Sequence, residues 1–169
     1  MDTEQAIRTR RTHKAFGPEP IYPRTLDELL ELARWAPNHK LTIPWRFHLL
    51  GPRSLSRLKD AAGPGQAEKL SRAPTLVLVS ALLTGDPLQD DEDVQAASVA
   101  AYIVLLAAHA RGLAGYWRTP EVLRTDAGRA ALLLPDQEQV IGLIHLGRPR
   151  QDREPPARPE PASYIRRLD

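Results

Sequence analysis

WAPNHKLTIPWRF, residues 35–47, is the stretch on which the reading of this chain turns. Pro37 forbids continuation of any helix that reaches it, and Pro44 keeps Ile43 out of the right-handed helical region. Between the two prolines stand Asn38, His39, Lys40 and Thr42, four polar side chains on a loop whose entry and exit are both fixed. Loops held by rigid elements are where ligands commonly bind. The same residues equally describe an ordinary helix–strand connection with a solvated polar face.

On the N-terminal side of the loop, Thr25 and Glu28 form a capping box, TLDE. Leu26, Leu29, Leu30 and Ala33 follow at helical spacing, so an amphipathic core helix is expected up to Ala36. On the C-terminal side, Phe47 to Leu50 reads as a buried strand stopped by Gly51-Pro52. Ser54 to Ala62 then reads as a helix, Gly63-Pro64-Gly65 breaks it, and a short helical piece up to Arg72 follows. TLVLVSAL (residues 75–82) and VIGLIHLG (140–147) are continuous apolar runs rich in branched residues, the pattern of strands buried on both faces.

Between those strands lies GDPLQDDED, whose carboxylates lack the Gly and Glu positions of an EF-hand. They are expected instead to cap a following helix, with Asp91, Glu92 and Asp93 at its positive end. That helix, Val94 to Arg111, is Ala-rich and apolar almost all round, and Gly112 ends it. It is expected to be a central buried helix, too short for a membrane span and carrying Gln95, Ser98 and His109. His109 has no His, Asp or Glu three or four residues away, so it reads as a dipole-favoured or core histidine rather than a metal ligand. One or two helices are expected from Pro120 to Leu134.

The ends of the chain differ in kind. Asp2 followed by Gln5 resembles a capping box for a short helix from about Thr3 to Arg10. It delivers a cluster, Arg10, Arg11, Thr12, His13 and Lys14, that suits an oxyanion and equally describes a basic helix end. From Arg148 the chain becomes RPRQDREPPARPEP, which predicts an extended arm. The length fits one domain, residues 1–169, with a Pro-rich arm at about 148–169. Cysteine is absent, so disulfides and thiolate metal sites are excluded, and a cytoplasmic location is the expectation. MDTEQAIRTRR has no apolar segment of a secretory signal. A formal net charge of +2 does not describe a nucleic-acid coat.

Three polar groups thus fall at element boundaries: Arg10–Lys14, His39–Thr42, and Trp117-Arg118-Thr119 after the glycines at 112 and 115. Trp117 also reads as the core residue of a strand. GxSxG, HExxH, GxxxxGK[ST] and GxGxxG are all missing, which removes support for a hydrolase, zinc enzyme, P-loop NTPase or Rossmann dehydrogenase. An anion site with aromatic and hydroxyl groups suits a phosphorylated aromatic cofactor.

IRTRRTHKAF, ARWAPNHKLTIPWRF, GLAGYWRT and VIGLIHLGRP, in that order and at that spacing, resemble the nitroreductase family of FMN-dependent oxidoreductases. The HK after APN and the YWRT after a glycine-rich turn are most similar to the small bacterial subgroup of NAD(P)H nitroreductases. The resemblance implies an α+β fold, a mixed sheet flanked by helices, and a homodimer with FMN at the subunit interface. The long helix would lie at the dimer core and the C-terminal arm would reach over the partner. Arg10, Arg11 and Thr12, assisted by Lys14, would hold the FMN phosphate and ribityl chain. His39 and Ile43 would line the flavin, and Trp117, Arg118 and Thr119 would close the site. Arg118 would pair with the flavin's pyrimidine edge or with an acidic neighbour. The nicotinamide stretch maps to Ala107–Gly112.

The implied activity is ping-pong electron transfer from NADH or NADPH to a small aromatic or quinone-like acceptor. No residue is assigned as catalytic acid or base, and no metal, nucleic acid or membrane partner is implied. One position departs from the family: it commonly has Gln or Asn before the Pro-Trp, and this chain has Ile43. The missing amide bond would contribute about 0.5–1.5 kcal/mol. That departure motivates the alternative of a flavin-binding protein with little or no turnover. An anion- or nucleic-acid-binding module built on the N-terminal basic cluster is the third reading.

Overall fold

The computed structural model describes residues 1–168. Among the described residues, six α-helices and four strands follow in this order: α1 Thr3–Thr9, α2 Pro23–Ala33, β1 Trp45–Leu49, α3 Pro52–Ala62, α4 Pro64–Leu70, β2 Thr75–Leu82, α5 Pro87–Ala110, β3 Ala114–Arg118, α6 Asp126–Leu132 and β4 Glu138–Gly147. The strands form one sheet in the order β1-β2-β4-β3, and every pairing is antiparallel. The parallel component of the expected mixed sheet is confined to one isolated bridge, Thr12 to Gly115.

The sheet separates two cores by strand alternation. Val77, Val79, Ala81, Ile144 and Leu146 face α2 and α5, while Leu76, Leu78 and Leu143 face the cluster with Leu58, Leu70 and Leu123. Because α5 presents Ala96, Ala97, Ala100, Ala101 and Ala108, all buried, it lies close against the strands. Gly115 completes that approach, since a Cβ there would stand 2.6 Å from Leu105 Cδ2. Gly112, at φ 72°, makes the left-handed turn out of α5.

Several helix starts differ from the sequence reading, for one reason. Pro23, Pro52, Pro64 and Pro87 each stand at the first turn of a helix, where the missing N–H costs nothing. The TLDE capping box therefore lies inside α2, and α2 has no side-chain cap. Likewise α5 begins at Pro87, not Val94, and is 24 residues long. Its cap is Asp86, which accepts from the Leu88 N–H at 3.0 Å. Asp91, Glu92 and Asp93 are residues of the helix rather than caps. At 24 residues, α5 is long and apolar enough to cross a membrane, so the expectation that it is too short is corrected. Its role as a central helix rests on packing instead, between the sheet and α2.

At the N-terminus the expected cap is present, with the Gln5 N–H donating to Asp2 Oδ1 at 2.8 Å. Residues 148–168 are exposed throughout, with one 3₁₀ turn at Pro161–Ser163, and residue 169 lies outside the described residues.

Candidate functional site

The basic cluster follows directly from the end of α1. Arg10 caps that helix, its N–H donating to the Ala6 carbonyl at 3.0 Å. The chain then runs along the open edge of β3: Thr12 bridges Gly115, and the His13 N–H donates to the Gly115 carbonyl at 3.2 Å. This docks the cluster against the C-terminal half of α5. The Arg10 guanidinium carbon is 5.8 Å from the centre of the Tyr102 ring, within cation–π range. Arg11 Nη1 donates to the carbonyls of Arg8 (2.6 Å) and Arg10 (2.9 Å). The Nε atoms of both arginines are buried and unpartnered. Buried donors without acceptors are uncommon, and two beside each other fit an anion. Lys14 is exposed and makes no hydrogen bond among the described residues.

His109, near the end of α5, belongs to this cluster. Its Nε2 lies 2.8 Å from Thr9 Oγ1. Burial, then the charges of Arg10, His13 and Arg11, lower its pKa below the usual histidine value. The pKa of His13 is lowered too, by burial first, then by Arg153 and Arg10, against an opposing pull from the Gln151 backbone and Asp152. Both are therefore disposed to be neutral near pH 7. A helix C-terminus alone would raise a histidine pKa; of the two alternatives, dipole-favoured or core, the first is not supported, since burial and then the neighbouring cations win.

The loop that opened the sequence reading sits at the other end of α5. Lys40 (φ 54°), Leu41 (φ 53°) and Ile43 (φ 48°) are all left-handed. Each such residue costs about 1–2 kcal/mol, and a β-branched residue is an outlier there. Four contacts hold the shape. Asn38 Oδ1 accepts from the Ile43 N–H at 2.9 Å, and Arg46 Nη1 donates to the Ile43 carbonyl at 3.0 Å. His39 Nδ1 pairs with Glu92 Oε2 at 2.7 Å, and the Thr42 hydroxyl donates to Asp93 Oδ1 at 2.6 Å. Asp93 is buried at 1% exposure and also accepts from Gln89 Nε2 at 3.2 Å. The carboxylates read from the sequence as helix caps thus hold the loop. No local signal reveals this, because the partners are about fifty residues apart. Leu41 and Ile43 point their apolar side chains outward, with Ile43 53% exposed.

The third group divides. Trp117 packs into the α5-side core, Nε1 donating to the Ile141 carbonyl at 3.4 Å. Arg118, one residue on, lies on the opposite sheet face. Its Nη1 donates to the Lys69 carbonyl at 3.1 Å, and its guanidinium carbon is 5.8 Å from the Tyr116 ring centre. Thr119 is exposed. The structure therefore brings Arg10, Arg11, Thr12 and His109 together, and His39 and Ile43 together. It does not bring the Arg118 side chain to either, and the acidic neighbour envisaged for it is a carbonyl. Glu92 and His109 are separated by about 25 Å of helix, at 1.5 Å per residue. Of the stretch Ala107–Gly112, Ala107 and Ala108 are buried, and Arg111 and Gly112 line a cavity of 540 Å³ with Ile21, Tyr22 and Arg148.

A separate polar network ties β1, β2 and β4. His48 Nε2 lies 2.7 Å from Glu138 Oε2, and the Ser80 hydroxyl donates to the same oxygen. Burial raises the Glu138 pKa, but the bonds from Ser80 and His48 outweigh it and hold the carboxyl below its usual value. With its hydrogen committed to a carboxylate, Ser80 is not arranged as a His-activated nucleophile. Among the described residues, no cluster of three or more His, Cys, Asp or Glu could hold a metal ion.

A four-stranded antiparallel sheet, a long alanine-rich helix on one face and an arginine pair docked at that helix's end define an α+β protein. The Nitroreductase-like Family Protein from Bacillus cereus aligns over 100% of this chain and 97% of its own, with a TM-score of 0.91 at 22% identity. "Putative nitroreductase in complex with fmn" from Desulfovibrio desulfuricans aligns over 98% and 96%, with a TM-score of 0.82 at 26% identity. In sequence, "Putative NAD(P)H nitroreductase YfhC" of Bacillus subtilis is 26% identical over 164 residues, covering 88% of this chain and 84% of its own length. The model of the Nitroreductase family matches residues 7–148, and the chain belongs to that family.

Proposed function

We propose that the protein is an FMN-dependent oxidoreductase that passes electrons from NADH or NADPH to a small aromatic or quinone-like acceptor. The carrying observation is the pair of buried, unpartnered Nε atoms on the consecutive residues Arg10 and Arg11, Arg10 lying over Tyr102 and Thr12 following in the chain. They fit the phosphate of a flavin nucleotide, which Arg10, Arg11 and Thr12, assisted by Lys14, would hold. When bound, the flavin supplies hydride-accepting and hydride-donating chemistry in alternate half-reactions. The chain's own residues bind and orient it. Arg10 and Arg11 neutralise the phosphate; His39 and Ile43 line the ring; the backbone at Trp117–Thr119 closes the pocket. No side chain is assigned a proton-transfer step.

The separation of these groups supports a homodimer. A two-fold axis across the middle of α5 would pair the helix with its own copy, antiparallel. The His39–Glu92 end of one protomer would then face the Arg10–His109 end of the other, completing two identical sites. Near that midpoint α5 leaves Val99 and Tyr102 exposed, and a 380 Å³ cleft lined by Asn38, His39, Glu92 and Val99 adjoins them. An exposed apolar face on a long core helix suits such a contact. The arm beyond Arg148, exposed along its length, would reach over the partner.

Ile43 favours a second reading, a flavin-binding protein with little turnover. Its side chain carries no amide, and its N–H is already taken by Asn38. Titration of the purified protein with FMN, followed by visible absorption, tests cofactor binding, and a chain that neither carries nor binds FMN refutes both readings. Stopped-flow reduction by NADH and NADPH then separates an enzyme from a carrier. Light scattering that gives a monomer at micromolar concentration removes the interface site.

A further inference from the structure

Thr9 fixes the tautomer of His109. Its single hydroxyl hydrogen is donated to the Gln5 carbonyl at 2.6 Å, so toward His109, 2.8 Å away, Thr9 Oγ1 can only accept. His109 Nε2 must therefore carry a hydrogen, and Nδ1 is the atom left to gain or lose a proton. Nδ1 has no hydrogen-bond partner among the described residues. Arg10 and Arg11 from the docked segment act on the ring as cations, and His13 opposes its protonation whenever His13 itself is charged. His13 in turn faces Arg10, Arg153 and Asp152. Against them stands the negative C-terminal end of α5. This balance leaves the ring neutral when the cluster holds no anion and favours its charged form when two negative charges arrive.

We propose that His109 is the proton-accepting member of this anion site: a phosphate monoester is bound together with a proton taken up at His109 Nδ1. This rests on the flavin reading above and adds to it a residue and a linkage. The phosphate brings about −1.5 to −2 charges near pH 7, and protonated His109 joins Arg10 and Arg11 in balancing them. The proton comes from solvent and returns there when the phosphate leaves. Affinity for the phosphate end of the ligand is then tied to pH in a way that affinity for the ring is not.

The test is calorimetry of FMN and of riboflavin, which lacks the phosphate, binding to the apoprotein near pH 7. Two buffers of different ionisation enthalpy give the protons exchanged. Wild type takes up more protons with FMN than His109→Gln does, the difference approaching about one. Riboflavin shows no such difference. Gln keeps an N–H able to donate to Thr9, so the variant retains the local contact, and a melting curve checks its fold. The FMN-over-riboflavin affinity ratio falls roughly 3- to 10-fold in His109→Gln. Imidazole ¹⁵N NMR of the apoprotein shows the Nε2–H tautomer. Equal proton uptake by both proteins, with FMN bound, overturns the inference and leaves the flavin reading intact, as does an Nδ1–H tautomer. If wild type binds riboflavin and FMN equally well, the phosphate assignment and the inference fall together.

Discussion

At the N-terminal half of α5 the docked chain meets carboxylates; at the C-terminal half it meets none. The loop at residues 38–43 is conformationally costly, with three left-handed non-glycine residues, yet its polar groups are matched by Glu92, Asp93 and Asn38. The segment at residues 10–13 has no left-handed residue, yet it gathers two arginines and two histidines with no acid on α5 to answer them. One end stores strain and pairs its loop side chains with carboxylates, though Asp93 Oδ2 stays buried and unpartnered; the other gathers cations and is free of strain. A shape held by matched bonds is ready to present a surface. A charge left unmatched is ready to take a ligand. On the reading proposed above, the difference would separate, on one helix, the part that positions from the part that binds.

The comparison breaks most readily at Asp93. Asp93→Ala removes an acceptor used by Thr42 and Gln89, and bonds to a charged group are worth about 1.5–3 kcal/mol each. The expected loss is about 3 kcal/mol of stability, with the strained loop released. Trypsin reads the release directly, because Lys40 lies at its exposed tip. Cleavage after Lys40 no faster than in wild type would mean that the loop holds itself.

Arg10→Ala and Arg11→Ala should act in the opposite sense, weakening FMN binding more than folding. Each removes a charge-assisted bond worth roughly 1.5–3 kcal/mol, about ten- to a hundredfold in affinity. Arg11 also donates to the Arg8 carbonyl of α1 and to that of Arg10, its C-cap, so the melting temperature of the Arg11 variant falls more than that of the Arg10 variant. Both variants purifying with a full flavin complement would contradict the division drawn between the two ends.

The largest acid response, adding to the smaller ones of His13 and His109, should come from His145. It is fully buried, both ring nitrogens lack partners, and burial, then Arg118 and Arg72, push its pKa down to about 3. With an unfolded value of 6.5, the unfolded chain binds one more proton between pH 6.5 and about 3. Stability therefore falls as pH falls through that window, by about 1.4 kcal/mol per unit. In His145→Phe this slope should disappear from denaturant titrations between pH 4 and 6, and its persistence would place the acid-sensitive group elsewhere.

Ile43→Gln is the smallest change. The Ile43 side chain is exposed and the backbone N–H is bound by Asn38, so the substitution costs little packing. It should raise FMN affinity by one neutral hydrogen bond, about 0.5–1.5 kcal/mol. A weaker-binding Gln variant, measured by FMN titration of both apoproteins, would show that an apolar contact has replaced the amide.

Much of the fold was legible. TLVLVSAL is β2 residue for residue, VIGLIHLG is β4 less its first two residues, and Asp2 and Gly112 mark helix ends as read. Helix starts were less legible because Pro52 and Pro64 were read as breaks and Pro23 and Pro87 were not weighed as starts, whereas all four initiate helices. In the candidate site, the N-terminal cluster and the loop were found as sequence neighbourhoods. Their roles depend on partners distant in the chain, such as Asp93 for Thr42 and His109 for Thr9. Arg118 could have been placed correctly: in a strand, neighbours face opposite ways, so a core Trp117 sends Arg118 to the other face.

The bridge from Thr12 to Gly115 has a bearing on solubility. Without it, β3 would be a bare outer strand, offering unpaired N–H and C=O groups to any other chain. The short segment that gathers the basic side chains is therefore also the sheet's selvage. Its arginines repel one another, and no acid of α5 pairs with them among the described residues, so an anion settling there would also seal the edge of the sheet. Cells that run short of the ligand would then accumulate a chain that is sticky as well as idle, and supplying the ligand during expression should raise the yield of dispersed protein.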